Sequence, residues 1–239
     1  MGKYSNLLSE EVKEQIEILH ESGVFKANDP LPSERELAEQ FDVNRQTIRT
    51  ALKRLRNEHR IYTQHGKGNF VSPRKYCDDT SRFSSFTSGW EADGYTTYSR
   101  TLLMQVIEAP LAVSTMLDLS LGTEVYHLRR VRYIGDEPLS YETSYVPVKM
   151  CEGLDRFDFN HSSLYDTMEK VYGISLTTID EKISITTLND DERAELEADN
   201  DDLAFCFKSV TLSKDRVPVE CCVAVVRADK MYLVSYMEA

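Results

Sequence analysis

Residues 30–71, PLPSERELAEQFDVNRQTIRTALKRLRNEHRIYTQHGKGNFV, constrain the fold more than any other stretch, because two capped helices, a tight connection and a glycine-centred hairpin follow in succession. Ser33 with Glu36 three residues on forms a capping box, in which hydroxyl and carboxylate satisfy free amides at a helix start. Leu37, Ala38 and Phe41 supply that helix with its apolar stripe. Asn44 is a good N-cap for a second helix, which places Thr47, Ile48, Ala51, Leu52 and Leu55 on one inward face. Its other face carries Arg45, Gln46, Arg49 and Lys53, side chains shaped to meet guanine, adenine and phosphate. Strand-like residues 61–64 and 69–71 then flank a tip of His65, Gly66, Lys67 and Gly68, small enough to approach a DNA backbone closely. The stretch reads as a winged helix-turn-helix with a recognition helix.

Charge separates this reading from an ordinary helical domain with a solvated basic face. Residues 43–75 hold nine Lys/Arg and one Asp/Glu, net +8, whereas residues 1–42 hold four and ten, net −6. Positive charge is concentrated where phosphate would be met. With these residues in view, LPSERELAEQFDVNRQTIRTALKRL followed by QHGKGNFV resembles the DNA-binding domain of the GntR family of bacterial transcription regulators. The resemblance implies that Arg35, Arg45, Arg49, His65 and Gly66 touch DNA, with Asn44, Gln46 and Thr47 near them. Lys67 in the tip reads as a phosphate contact. The chain departs from the family at Asn44, where Ser or Thr is usual, and at His59, where Gly is common.

The chain's 239 residues fit two domains, and its net charge of −12 is unevenly placed. Residues 76–239 hold 15 Lys/Arg against 29 Asp/Glu, net −14, so an acidic domain follows a DNA reader. Leu8, Val12, Ile16 and Leu19 give the first domain an opening helix, ended near Ser22 and Gly23. The polar, aperiodic SPRKYCDDTS reads as a linker, placing domains at 1–71 and 81–239 with residues 72–80 between. The five cysteines have no metal-like spacing, and no segment resembles a leader or a bilayer span. The expectation is a soluble cytoplasmic protein with reduced thiols, no membrane association and no cofactor.

The second domain reads as α+β with an antiparallel sheet. Strands are expected over 97–107, 124–134, 139–146, 177–187, 204–212 and 217–226, with helices over 111–119, 164–172 and 190–198. Residues 135–138 and 213–216 turn two hairpins, and 231–237 is expected to close the sheet. Period-two alternation puts Arg130 and Arg132 on one face with Tyr126, Leu128 and Ile134. Glu142 and Ser144 share a face of the return strand, and Glu220 starts an otherwise apolar strand. On charges alone, internal salt bridges and an anion pocket both remain open, since buried charges need partners in either case.

HLRRVRYIGDEPLSYETSYVP, SSLYDTMEKVYGI and VPVECCVAVVRADKMYLV, in that order, resemble the UTRA effector-sensing domain of the HutC-type branch of the GntR family, a fold similar to chorismate lyase. That resemblance implies an anionic effector, a phosphorylated sugar or carboxylate, held by Arg130, Arg132, Ser163 and Tyr165. It gives Glu142 and Glu220 the effector's hydroxyl or amine groups and sets Ser85 and Phe86 at the entrance. Val226 and Ala224 stand where related domains often have Tyr and Ser, which leaves room for an effector less hydroxylated than a typical sugar phosphate. The expectation is a homodimeric repressor on a palindromic DNA operator, controlled by a small anionic metabolite. The alternative is a chorismate lyase-like enzyme fused to a DNA reader, although the chain lacks a nucleophile elbow, a P-loop and a metal-ligand cluster.

Overall fold

A computed structural model describes residues 2–64, 66–72, 75–199 and 203–236, which form two compact units divided between Tyr76 and Cys77. In the first unit, helices α1 (Gly2–Glu21), α2 (Glu34–Gln40) and α3 (Arg45–Asn57) precede a hairpin of β1 (Ile61–Gln64) and β2 (Gly68–Val71). The Ser33–Glu36 capping box forms as expected, and the Asn44 side chain accepts a hydrogen bond from the Thr47 amide at 2.9 Å. Val12 and Ile16 of α1 meet Leu37, Ile48, Leu52 and Leu55 in one buried core, closed by Ile61 and Val71 of the hairpin. Each such side chain contributes about 1.5–3 kcal/mol on burial, so the amphipathic faces hold these short helices together. His59 adopts a left-handed φ of 52°, which accounts for the family's glycine at this turn into the hairpin.

The second unit contains β3 (Tyr76–Asp79), α4 (Phe86–Ala92), β4 (Thr97–Glu108), α5 (Leu111–Met116), β5 (Glu124–Ile134) and β6 (Glu137–Pro147). It continues through α6 (Leu164–Lys170), β7 (Leu176–Thr187), α7 (Asp190–Glu195), β8 (Leu203–Ser213), β9 (Pro218–Arg227) and β10 (Met231–Val234). Six strands form one antiparallel sheet in the order β4-β5-β6-β9-β8-β7, built on the two expected hairpins. One sheet face is covered by α6 and its preceding turns through Leu154, Phe159, Leu164 and Met168. The other is covered around α5 by Val113 and Leu117, and around α7 by Leu188 and Leu196.

Two expectations need correction. Residues 231–234 do not close the main sheet; they pair with β3 in a separate two-stranded sheet, and Met237 lies outside the described residues. Residues 76–79, expected as linker, are therefore a strand, continued by Thr80, whose amide donates to the Val234 carbonyl at 2.9 Å. The linker's Pro73 and Arg74 also lie outside the described residues.

Candidate functional site

The outward face of α3 is built by the periodicity that makes its inner face apolar. Arg45 and Arg49 expose 61% and 57% of their side chains, and both face Glu34 of α2, at 3.8 Å and 2.8 Å. One carboxylate thus serves two guanidiniums that retain free donors toward solvent. Gln46 and Lys53 are exposed on the same helix, and Arg35 is exposed with only a 3.9 Å contact to Glu39. Asn44 is exposed but committed to its cap. Thr47, which the resemblance put near DNA, is 2% exposed and has its hydroxyl on Asn44 at 3.2 Å. It belongs to the framework, as its place on the apolar face indicated. Gly66 and Lys67 are exposed at the hairpin tip, where Gly66 takes a φ of 74°; His65 lies outside the described residues.

In the second unit, cross-strand register gathers the other expected residues. Arg130 pairs across to Glu142, Arg132 to Ser140, and Glu142 onward to Ala224 on β9, all on one side of the sheet. They floor a cavity of about 450 Å³, roofed by residues 77–93 and bounded by Ser163 and Tyr165 at the start of α6. Ala224 and Val226 make an apolar strip of its wall. Ser85 and Ser163 cap α4 and α6, and their hydroxyl oxygens are 3.5 Å apart, so two helix starts converge beside the arginines.

The charges here do not balance. Arg130 donates to Glu142 at 2.9 Å, and Arg132 reaches the same carboxylate oxygen at 3.6 Å. Glu220 makes no ion pair with them and adds only a minor attraction: it is buried against the Tyr165 hydroxyl at 2.9 Å and Thr211 at 3.2 Å. Burial pushes the Glu220 carboxyl above its usual range, which favours its neutral form. Arg132 donates to the Thr87 hydroxyl at 3.0 Å and lies 4.4 Å from the centre of the Phe86 ring. Even so, burial pulls its pKa from 12.5 down to about 10, an effect the Glu142 charge only partly offsets. Arg130 Nε and Nη1 and Arg132 Nε, on side chains of residues only 3% and 4% exposed, have no hydrogen-bond partner among the described residues. Buried guanidinium donors left unsatisfied are costly, so the site is complementary to an anion.

Sequence reasoning missed Thr87 and Phe86 as the partners of Arg132, although it placed Phe86 at the entrance. It also missed Asp78 and Glu181 as lining residues. No periodic signal marks Thr87 or Asp78, whose places depend on segments distant in the chain. Among the described residues, no group of three or more His, Cys, Asp or Glu is placed to hold a metal, and no helix is long and apolar enough to cross a membrane.

Comparison with known proteins matches both units of the chain. Residues 8–71 match the model of bacterial regulatory proteins of the gntR family, and residues 92–232 match the UTRA domain. The chain is 29% identical over 228 residues to the HTH-type transcriptional repressor NagR of Bacillus subtilis, covering 95% of this chain and 93% of that protein. It is also 29% identical to the HTH-type transcriptional repressor PhnF of Mycolicibacterium smegmatis, covering 90% and 87%. The crystal structure of PhnF from Mycobacterium smegmatis superposes with a TM-score of 0.68 at 26% identity, over 95% of this chain and 99% of that one. Both domains are thus matched by family models, and the PhnF structure shares the chain's overall fold. The chain belongs to the GntR family, HutC-type branch, and is a DNA-binding transcription regulator with a UTRA effector domain.

Proposed function

We propose that this regulator is a cytoplasmic homodimeric repressor that leaves a roughly palindromic operator when a small anionic metabolite enters the second unit's cavity. The observation that carries the effector half is the shared carboxylate: Glu142 faces both Arg130 and Arg132 where they line the cavity, and three of their buried N–H groups have no hydrogen-bond partner among the described residues. An effector phosphate or carboxylate would accept bidentately from the two guanidiniums that line the cavity, with the Ser163 hydroxyl beside them. Glu142 would orient the arginines, while Tyr165 and Glu220, hydrogen-bonded to each other, would hold the far wall. Ser85 and Phe86 would line the entrance. That NagR and PhnF are repressors supports the sign of regulation, and regulators among the relatives favour a binding domain over an enzyme.

For DNA, Arg45, Gln46 and Arg49 would read base edges, with Arg35, Gly66 and Lys67 against the backbone. Asn44 would set the start of the reading helix. Two identical readers bound to one duplex require a two-fold operator, and a coupling of about 1–3 kcal/mol between cavity and reader would change operator affinity roughly 5- to 150-fold.

The test is a thermal-shift panel of phosphorylated sugars, carboxylates and phosphonates on the wild-type chain and on Arg130→Ala and Arg132→Ala, followed by gel shifts with operator DNA. A ligand at 100 times its dissociation constant adds about 2.7 kcal/mol to stability. The expected result is operator binding retained and ligand-induced release lost in both variants. A variant that still releases DNA on effector addition would overturn the pocket assignment.

A further inference from the structure

The cavity has a second charged end, opposite the arginines. Glu181 of β7 shares the sheet face that carries the arginines: the register runs from Leu128 through Ser144, Cys222 and Ser209 to Glu181, one row from Arg130. It stands at the cavity's solvent-exposed rim. Asp78 of β3 lines the same end from the roof and lies within electrostatic reach of Glu181. Two further acids there, Asp79 and Asp93, are already engaged by Arg82 at 2.9 Å and 3.2 Å. Among the described residues, no cation pairs with Asp78 or Glu181. Desolvation, with repulsion from Asp79 and Asp93, raises the Asp78 carboxyl above its usual range, the response of a half-buried acid short of positive charge.

The two ends of one cavity thus carry excess charge of opposite sign, two guanidiniums on one carboxylate at one end and two carboxylates without a cation among the described residues at the other. Four strand spacings of ~4.8 Å separate β5 from β7, about 19 Å between backbones, which the arginine and glutamate side chains shorten from either side. A metal ion fits the acidic end poorly, because hard divalent cations take about six oxygen ligands and two carboxylates under-fill that shell.

We propose that the natural ligand is amphoteric, with its anionic group on Arg130 and Arg132 and a protonated amine facing Asp78 and Glu181. This deepens, and rests on, the anion-site reading above. An ammonium supplies three donors and one charge to two acceptors that have no other cation, while the apolar strip of Ala224 and Val226 accommodates a linking carbon skeleton. A simple anion would satisfy the arginines and leave the acidic end uncompensated.

The test is calorimetric titration of the full-length chain with ω-aminoalkylphosphonates of two to six methylenes, against plain alkylphosphonates of the same lengths, with ω-amino acids and alkanoates as parallel series and inorganic phosphate as reference. The expected result is that one amino compound binds at least about tenfold more tightly than its plain counterpart. Asp78→Asn and Glu181→Gln together should reduce that advantage to under about threefold without weakening the plain compounds, since the removed carboxylates only repel an anion. Neither substitution should lower the ligand-free melting temperature, since each removes repulsion between acids. Equal binding of amino and plain compounds, or an advantage that survives the double substitution, overturns the amphoteric ligand and leaves the anion site standing. If no series and no inorganic phosphate binds, the anion site fails and this inference with it.

Discussion

Two pairs of arginines in this chain each share a single carboxylate, and they differ in almost nothing but depth. Arg45 and Arg49 meet Glu34 on the outer face of α3 with more than half of each side chain in water. Arg130 and Arg132 meet Glu142 on β5 and β6 with only 4% of each side chain exposed. Outside, water and salt screen the unbalanced charge, so the excess costs little and stays available for a polyanion. Inside, the same excess cannot be screened, and under the proposed function it would select an anion small enough to enter. Residue type alone does not separate a DNA contact from an effector contact; the face of the element and what covers it do.

That comparison is broken most directly by removing the carboxylates. Glu142→Ala leaves two buried guanidiniums facing each other without a counter-charge and should destabilise the second unit by about 3–5 kcal/mol in urea unfolding. Arg132→Ala should cost clearly less, since Glu142 keeps Arg130 at 2.9 Å and one repulsive neighbour is gone. Glu34→Ala, made on the exposed pair, should cost under about 1 kcal/mol. Equal losses for Glu142→Ala and Arg132→Ala would mean that the cluster is balanced by something other than Glu142, and the case for an anion site would weaken accordingly.

The exposed pair should show its importance in binding instead. Arg45→Ala and Arg49→Ala should each weaken operator binding by about 1–3 kcal/mol while leaving non-specific binding less affected. Gel shifts with operator and scrambled duplexes measure the difference. Unchanged operator binding in both variants would remove α3 as the reading helix.

The framework beneath that helix gives the next smaller effect. Asn44→Ala removes the hydrogen bonds to the Thr47 amide and hydroxyl, at 2.9 Å and 3.2 Å, and should cost about 1 kcal/mol. For a unit of this size that lowers the melting temperature by roughly 4–8 °C, and only the first unit's transition should move. Loss of operator binding without loss of stability would instead make Asn44 a direct DNA contact.

The first unit was legible in the sequence because its signals are local. Ser33 and Glu36, Asn44 and Thr47, and the α3 stripe lie within a few turns of one another, and all formed as read. In the second unit, both hairpins and the shared face of Arg130 and Arg132 followed from alternation and short turns, while the register that brings Glu142 and Glu220 to that face came only with the fold. What failed was long-range. Residues 76–79 carry no alternation of apolar and polar side chains, and their partner strand lies some 150 residues on, so they resembled a linker. The resemblance set Thr47 near DNA, and the apolar stripe turned its side chain inward, where it is 2% exposed. Thr87 beneath Arg132 and Asp78 opposite Glu181 are contacts that only the tertiary fold creates.

The smallest expected effect sharpens the contrast between screened and unscreened charge. Lys67 sits exposed at the hairpin tip between two glycines, with φ of 74° at Gly66 and 110° at Gly68. Both are left-handed values that bring the backbone round tightly and lift the lysine clear of the strands. A cation in that position would meet a phosphate and release about one counterion, without contributing to sequence choice. Lys67→Ala should therefore lower affinity on operator and scrambled DNA alike and reduce the slope of log K against log salt by roughly one unit. Between 50 and 200 mM salt, one unit of slope is about a fourfold change in affinity, well below the loss expected from either reading arginine. A slope that stays the same, with affinity falling only on the operator, would make Lys67 a base reader; Arg130→Ala, buried away from phosphate, should leave the slope untouched.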